Sequence, residues 1–421
     1  MWDKFRLIFK NTDLRKKMFF VLGILAVSRI SAIIPIPGVD VFRLKSFFAG
    51  NQFFGLLNIF SGGALDNLSI VMLGVGPYIT ASIILQLLTM IFPALKELYH
   101  EEGEAGRQKF DQYSRILAVP LAILQGFGLL TLLERQGVLA NLTFFDRFIN
   151  VLVVTAGAVF LMWLGELISE YGIGNGVSVI IFAGIVSRIP QAVRQTLFVL
   201  DISQLPMIIG FLIAAAAIIA AVVIITEGER PLPVSYAKRI RGMKIYGGMS
   251  TYLPLKVNQA GVIPIIFALS ILLFPQMIFN LLAGVGGTAL QSVFTALINF
   301  FNNPWIYAVL YFVLVFLFTY FYTAVTFDPE EISKNLQKSG AFVPGLRPGR
   351  STADFIGKVL NRITLIGAIF LGLIAVLPLA VRAMTGFTSL TIGGTALLIV
   401  VSVVLDTVKK IESQIVMREY E

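Results

Sequence analysis

The residues best placed to do chemistry in this sequence fall short of every catalytic pattern they begin. His100, the only histidine, is followed by Glu101 as in a zinc-protease helix, but Glu104 stands where the second histidine belongs. The absence of cysteine excludes thiol catalysis, thiolate metal sites and disulfides. Gly172-Ile173-Gly174-Asn175-Gly176 has glycines spaced as in a dinucleotide loop, yet it follows a long apolar run rather than a strand and reads as a tight turn. No Walker lysine motif is present, so ATP hydrolysis by that route is excluded. Arg29, Glu166 and Asp406 lie near the ends of apolar runs, where long side chains reach water. An ion-coupled transporter keeps carboxylates near the bilayer midplane, and none is placed there. No catalytic residue, metal site or cofactor is expected.

The physical chemistry on offer is that of an apolar barrier. Val75 and Ile79 are one helical turn apart, and Val177 and Ile181 repeat the spacing. Such side chains can line a constriction that stops ions by dewetting; the same spacing also serves ordinary core packing. Beside the first pair, an apolar stretch (Phe53, Phe54, Leu56, Leu57, Ile59, Phe60) runs into Ser61-Gly62-Gly63 and then Asp66-Asn67. A charge at bilayer depth costs about 3 kcal/mol or more on insertion scales, and paired glycines weaken a helix. Residues 53–70 are therefore expected to enter a membrane without crossing it, whereas 71–92 is long enough to cross. Irregular backbone at that depth survives only inside protein or beside a water-filled cavity. Two readings follow: a channel or transporter with a stopper, or a re-entrant loop that only packs.

The elements that must position these residues are membrane helices. Of the 421 residues, 57% are hydrophobic and only 14% charged, against about 25% charged in soluble proteins. Ten spans are predicted, at 18–35, 71–93, 115–133, 148–168, 177–196, 207–226, 258–279, 305–326, 363–381 and 388–408, the fifth interrupted near one end by Arg188. Met1 to Lys17 does not read as a cleavable signal; Trp2, Phe5, Ile8 and Phe9 alternate with Lys4, Arg6 and Lys10 as in a short helix lying on a membrane surface. Ten spans put both termini on one side. That side holds 25 of the 33 Lys and Arg residues, the other side seven, and Arg29 lies within the first span. The excess of basic residues on cytoplasmic loops then places both termini in the cytoplasm. The net charge of +9 reflects this asymmetry.

Two of the basic loops are expected to be structured. In 327–362, Asp328-Pro329-Glu330-Glu331 reads as a helix start and Lys338 with Gly340 as its end. The turn dipeptides of Pro344-Gly345-Leu346-Arg347-Pro348-Gly349 then hold Arg347 at a tip, and Ser351 with Asp354 reads as a capping box. Loop 227–256 carries Arg230, Lys238, Arg239, Arg241, Lys244 and Lys256 among alternating apolar residues, with Gly247-Gly248 as the turn of a protruding hairpin. Two basic prongs suit an anionic partner such as a ribosome or an acidic protein surface, or a polybasic contact with lipid.

Several ordered stretches resemble the SecY family of protein-conducting channels. They are Ile34-Pro35-Ile36-Pro37-Gly38, Met72 to Leu88 with its Gly-Pro-Tyr-Ile-Thr-Ala-Ser core, Glu102 to Arg107, Met162 to Glu166, Gly172 to Gly176, Leu253 to Asn258 and Lys338 to Gly345. The resemblance covers essentially the whole chain. It implies an all-α membrane protein of ten helices in two pseudo-symmetric halves, about 1–200 and 201–421, closing around a central pore. It implies a half-inserted plug helix at about 55–70, containing Phe60, Ser61, Gly62, Gly63, Ala64 and Leu65, and a pore ring of Val75, Ile79, Val177, Ile181, Ile266 and Ile399. A lateral gate between spans 2–3 and 7–8 carries Thr80, Gln86 and Asn258. The prongs become docking sites for the SecA motor and the ribosome, with Arg239, Arg241, Lys244, Arg347 and Arg350 as contacts. SecE, SecG, preproteins with their signal sequences and membrane lipids are the other implied partners, and the plasma membrane the implied location. The competing class is a solute or lipid transporter with a re-entrant loop.

Overall fold

The structure is a computed structural model that describes residues 11–37, 61, 63–100, 102–135, 137–139, 143–198, 205–236, 239–241, 244–246, 250–282, 293–294, 296–298, 300–301, 303–385 and 394–419. The surface helix expected before Asn11, and Phe60 and Gly62 of the plug, lie outside the described residues.

The first half begins with α1 (Thr12–Ser31), capped by Asn11, and continues through α2 (Gly76–Ile91), α3 (Pro93–His100), α4 (Gly103–Arg135), α5 (Phe144–Tyr171), α6 (Gly176–Val186) and α7 (Ile189–Phe198). The second half holds α8 (Leu205–Glu227), α9 (Ile263–Leu282), α10 (Pro304–Thr326), α11 (Pro329–Lys338), α12 (Arg350–Thr385) and α13 (Gly394–Glu419). Between α8 and α9 come strands β1 (Glu229–Tyr236), β2 (Arg239–Arg241), β3 (Lys244–Tyr246) and β4 (Ser250–Lys256); β5 (Ala341–Phe342) follows α11. Helix lies on each of the ten expected spans. Among the described residues, Gly103–Glu134, Phe144–Tyr171, Pro304–Lys338 and Arg350–Val381 are long and apolar enough to cross a bilayer outright. Helices α2 and α3 would together make a fifth run but bend by 117° at their junction.

Two expectations change. The fifth span is not one helix: α6 stops at Val186, Ser187 and Arg188 form a turn, and α7 starts at Ile189. Ser351 does not cap α12, because that helix already begins at Arg350; the backbone N–H groups of Thr352 and Ala353 donate to the carbonyl of Gly349, which takes the capping position at the helix start.

Within the first half α2 packs on α4, α4 on α5, and α5 on α6; in the second, α9, α10 and α12 pack together. The halves meet where α13 lies against α6 and α9 lies against α2 and α4. Close approach is specified by glycine at two places. A Cβ on Gly176 would fall 1.8 Å from the carbonyl oxygen of Gly165, and one on Gly157 would fall 2.0 Å from that of Ile70. No side chain fits either position.

Candidate functional site

The residues expected to form the ring come from the starts of two helices and the body of a third. Val75 precedes α2 and is fully buried, and Pro77 in the first helical turn starts the helix after a run of turns. The backbone N–H of Ile79 donates to the Val75 carbonyl at 3.1 Å, so both side chains share one face. Val177 and Ile181 open α6, whose N-terminus is fixed by Asn175 accepting from the Ser178 N–H at 3.1 Å. Ile399 comes from α13. These five residues fall in a single apolar cluster with Val71, Ile180, Ile185 and Val403. Ile266 is not brought into it: this residue is half-buried on α9, one turn beyond Val262, which does pack against the cluster.

The described part of the expected plug contains one short 3-10 turn, Ala64–Asn67, rather than a longer helix. It is bracketed by Gly63 (φ +84°) and Leu68 (φ +41°), both left-handed, which ends helical propagation on either side. Ser61 is buried, and its Oγ accepts from the Leu65 N–H at 3.3 Å. Ala64 belongs to the ring's own cluster, and Leu65 and Leu68 belong to a neighbouring cluster with Ile36, Met72 and residues of α4 and α5. The exit from the plug is tied by backbone pairing: Ile36 N–H donates to Leu68 O and Ile70 N–H to Ile34 O, each at 2.9 Å. The Ile34-Pro35-Ile36 motif thus anchors the chain that follows the 3-10 turn.

The polar residues of the expected gate are placed differently from one another. The hydroxyl of Thr80 donates to its own helix at Gly76 O (3.0 Å), and the Gln86 amide donates to Ser82 Oγ at 3.4 Å. Asn258, just before α9, is buried, and among the described residues neither amide atom has a hydrogen-bond partner. Leaving such a group unsatisfied costs about 1–3 kcal/mol.

The two prongs are one structure. Antiparallel β1 and β4 pair from Glu229↔Lys256 to Ser235↔Ser250, and β5 adds to the other edge of β1, Ser235↔Phe342 and Tyr236↔Ala341. Leu232 and Leu255 pack on Ile356, Val359 and Ile363 of α12. Arg241 and Lys244 face each other in the β2–β3 register, and the turn expected at Gly247-Gly248 lies outside the described residues. Arg239 sits opposite Tyr246. The Asp328 cap, with its side chain accepting from Glu330 N–H at 2.9 Å, forms as expected. Arg347 and Arg350 are exposed, and the loop around them is fixed by Thr352 Oγ1 donating to Arg347 O (2.8 Å) and Ser333 Oγ donating to Gly349 O (2.7 Å).

A family model described as SecY matches residues 69–408. The chain belongs to the SecY family. Protein translocase subunit SecY of Mycobacterium bovis is 46% identical over 98% of this chain and 97% of its own length. The subunit of the same name from Streptomyces coelicolor is 44% identical over 100% and 99%. Membership in the SecY family makes this a protein translocase subunit. The fold is similar to a structure described as that of a protein conducting channel (TM-score 0.65, 18% identity, 94% of this chain and 91% of that one) and to Sec61 in a canine ribosome-channel complex (TM-score 0.61, 17% identity, the same coverage).

Most features of this SecY-family chain that its sequence did not reveal depend on distant contacts. Glu166 does not simply reach water: it pairs with Arg115 of α4. Asp406 pairs with Lys410 at 3.0 Å, and Lys409 joins Glu227 at 2.6 Å, tying α13 to the base of the hairpin. Arg29 Nη1 donates to Ser187 Oγ at 3.3 Å, and the Arg188 side chain covers Gly63. A cation inside an apolar run was the available signal for the last two.

Proposed function

We propose that the chain is the pore-forming subunit through which unfolded preproteins leave the cytoplasm. The observation that carries this reading is the gathering of Val75, Ile79, Val177, Ile181 and Ile399, from three helices of two halves, in one apolar cluster with Ala64 of the plug. Aliphatic side chains offer an ion no ligand and can part without breaking hydrogen bonds. The cluster therefore seals an idle pore and yields to a polypeptide, and Val262 of the segment leading into α9 packs against it where Ile266 does not.

In this reading residues 1–200 and 201–421 are the two halves, and the gate to lipid is the seam where α9 meets α2 and α4. Asn258, buried before α9 with its amide unsatisfied, burdens the closed state with a cost that a signal sequence or water repays. Termini and prongs face the cytoplasm, with the subunit in the plasma membrane. The motor SecA or a ribosome docks on Arg239, Arg241, Lys244, Arg347 and Arg350, and SecE and SecG complete the complex. The subunit supplies a path and no covalent chemistry. A solute transporter is disfavoured by the aliphatic lining.

Import of a radiolabelled preprotein into vesicles holding this subunit, its two small partners and the motor tests the reading. Motor- and ATP-dependent protection of the preprotein from protease is expected, and its absence with a functional motor refutes the assignment.

A further inference from the structure

We propose that Arg188 is the residue that latches the plug, making plug release follow movement of the ring. The proposal rests on the plug reading above.

Helix α6 carries two ring residues, Val177 and Ile181, at its start, and its last turns remain in the ring cluster through Ile185. The helix then ends in a tight turn, with Ser187 N–H donating to Ala183 O at 3.0 Å and Arg188 N–H to Ile185 O at 3.2 Å. Ring and turn are therefore rigidly joined through a few residues of one helix. The Arg188 side chain runs over Gly63: a Cβ on that glycine would meet Arg188 Cδ at 3.2 Å and Nε at 3.3 Å. Gly63 has φ +84°, a conformation that glycine adopts freely, so the plug chain approaches the arginine with no side chain between them. The turn is steadied from the far side, where Arg29 of α1 donates to Ser187 Oγ at 3.3 Å and that hydroxyl donates to Gly184 O at 2.8 Å.

A cation in this run is costly in membrane, and the helix break beside it falls at Pro190, which lacks a backbone N–H and clashes with the preceding turn. The position of Arg188 in that break explains why the charge is tolerated. The break lets α6 end where the plug lies, and the long side chain spans the gap to Gly63. When a polypeptide dilates the ring, α6 moves, the Ser187–Arg188 turn moves with it, and Gly63 loses its cover.

The test exploits the absence of native cysteine. Ser61, buried beside the plug turn, is changed in the intact complex (Ser61→Cys), and an impermeant maleimide is applied from outside the cell. Slow labelling is expected in the idle channel and about tenfold faster labelling with a preprotein arrested in the pore, as for a tenfold rise in open population. Arg188→Ala should accelerate labelling of the idle channel to a similar extent, with Arg188→Lys between the two. Gly63→Ala should also accelerate it, and by a smaller factor in the Arg188→Ala background, where the clash with the arginine is gone. Arg188→Ser repeats the comparison if the alanine variant does not accumulate. Wild-type labelling in the Arg188 variants, while an arrested chain still exposes the thiol at position 61, overturns the latch and leaves the plug standing. Slow labelling even with an arrested chain overturns both.

Discussion

Gly157 of α5 lies directly against the backbone of Ile70, so close that a Cβ would fall 2.0 Å from the Ile70 carbonyl oxygen. The Ile70 N–H is itself bonded to Ile34, so the glycine backs the strap that ties the plug to the chain before it. Backbone, unlike a flexible side-chain tip, cannot swing away. Gly157→Ala is therefore expected to destabilise the protein by about 1–3 kcal/mol, the range for overpacking a tight interior. Thermal unfolding of the purified subunit checks this. An unchanged midpoint would show that α5 and the strap separate readily.

The distribution of basic residues gives a topology that can be mapped. Single cysteines at positions 100, 240 and 345 should resist an impermeant thiol reagent applied outside intact cells and react once the cells are permeabilised. Reaction at 240 or 345 in intact cells refutes the cytoplasmic placement.

Arg347 is exposed on a loop held by Thr352 and Ser333 through backbone acceptors, so its side chain is dispensable for the local structure. Arg347→Glu should leave abundance within the range of ordinary surface substitutions, about 0.5 kcal/mol, while reversing the charge offered to a partner. The expected result is loss of preprotein-stimulated SecA ATPase activity at normal subunit abundance. Normal stimulation removes Arg347 from the docking surface.

Ile181 is buried and Ile79 is half-buried in the ring cluster. Asn at either position puts an amide into an apolar constriction, favours its hydration and disfavours closure. A loss of about 1.4 kcal/mol raises the open fraction roughly tenfold while opening is rare. Ion leakage through idle channels in planar bilayers and secretion of a reporter with a defective signal sequence should both rise. Wild-type levels of both in the two variants would make these residues ordinary core.

The sequence by itself determined where along the chain most of the helices fall. Hydropathy is a local sum, and caps such as Asp328-Pro329 and Asn175 act within a few residues, so both can be read from short windows. The ring needed the resemblance first, because Val and Ile one turn apart look the same in a pore and in a core. Tertiary structure decided which of those residues meet: it joined Ile399 to Val75 across more than three hundred positions and left Ile266 outside the cluster. It also added β5 to β1, making two loops into one sheet, and gave Glu166 its partner on α4. Arg188 is the plainest case. Its charge marked a break in an apolar run, but only the packing of α6 against Gly63 gave that charge a place to be. Contacts of this kind depend on chain crossings that no local pattern encodes.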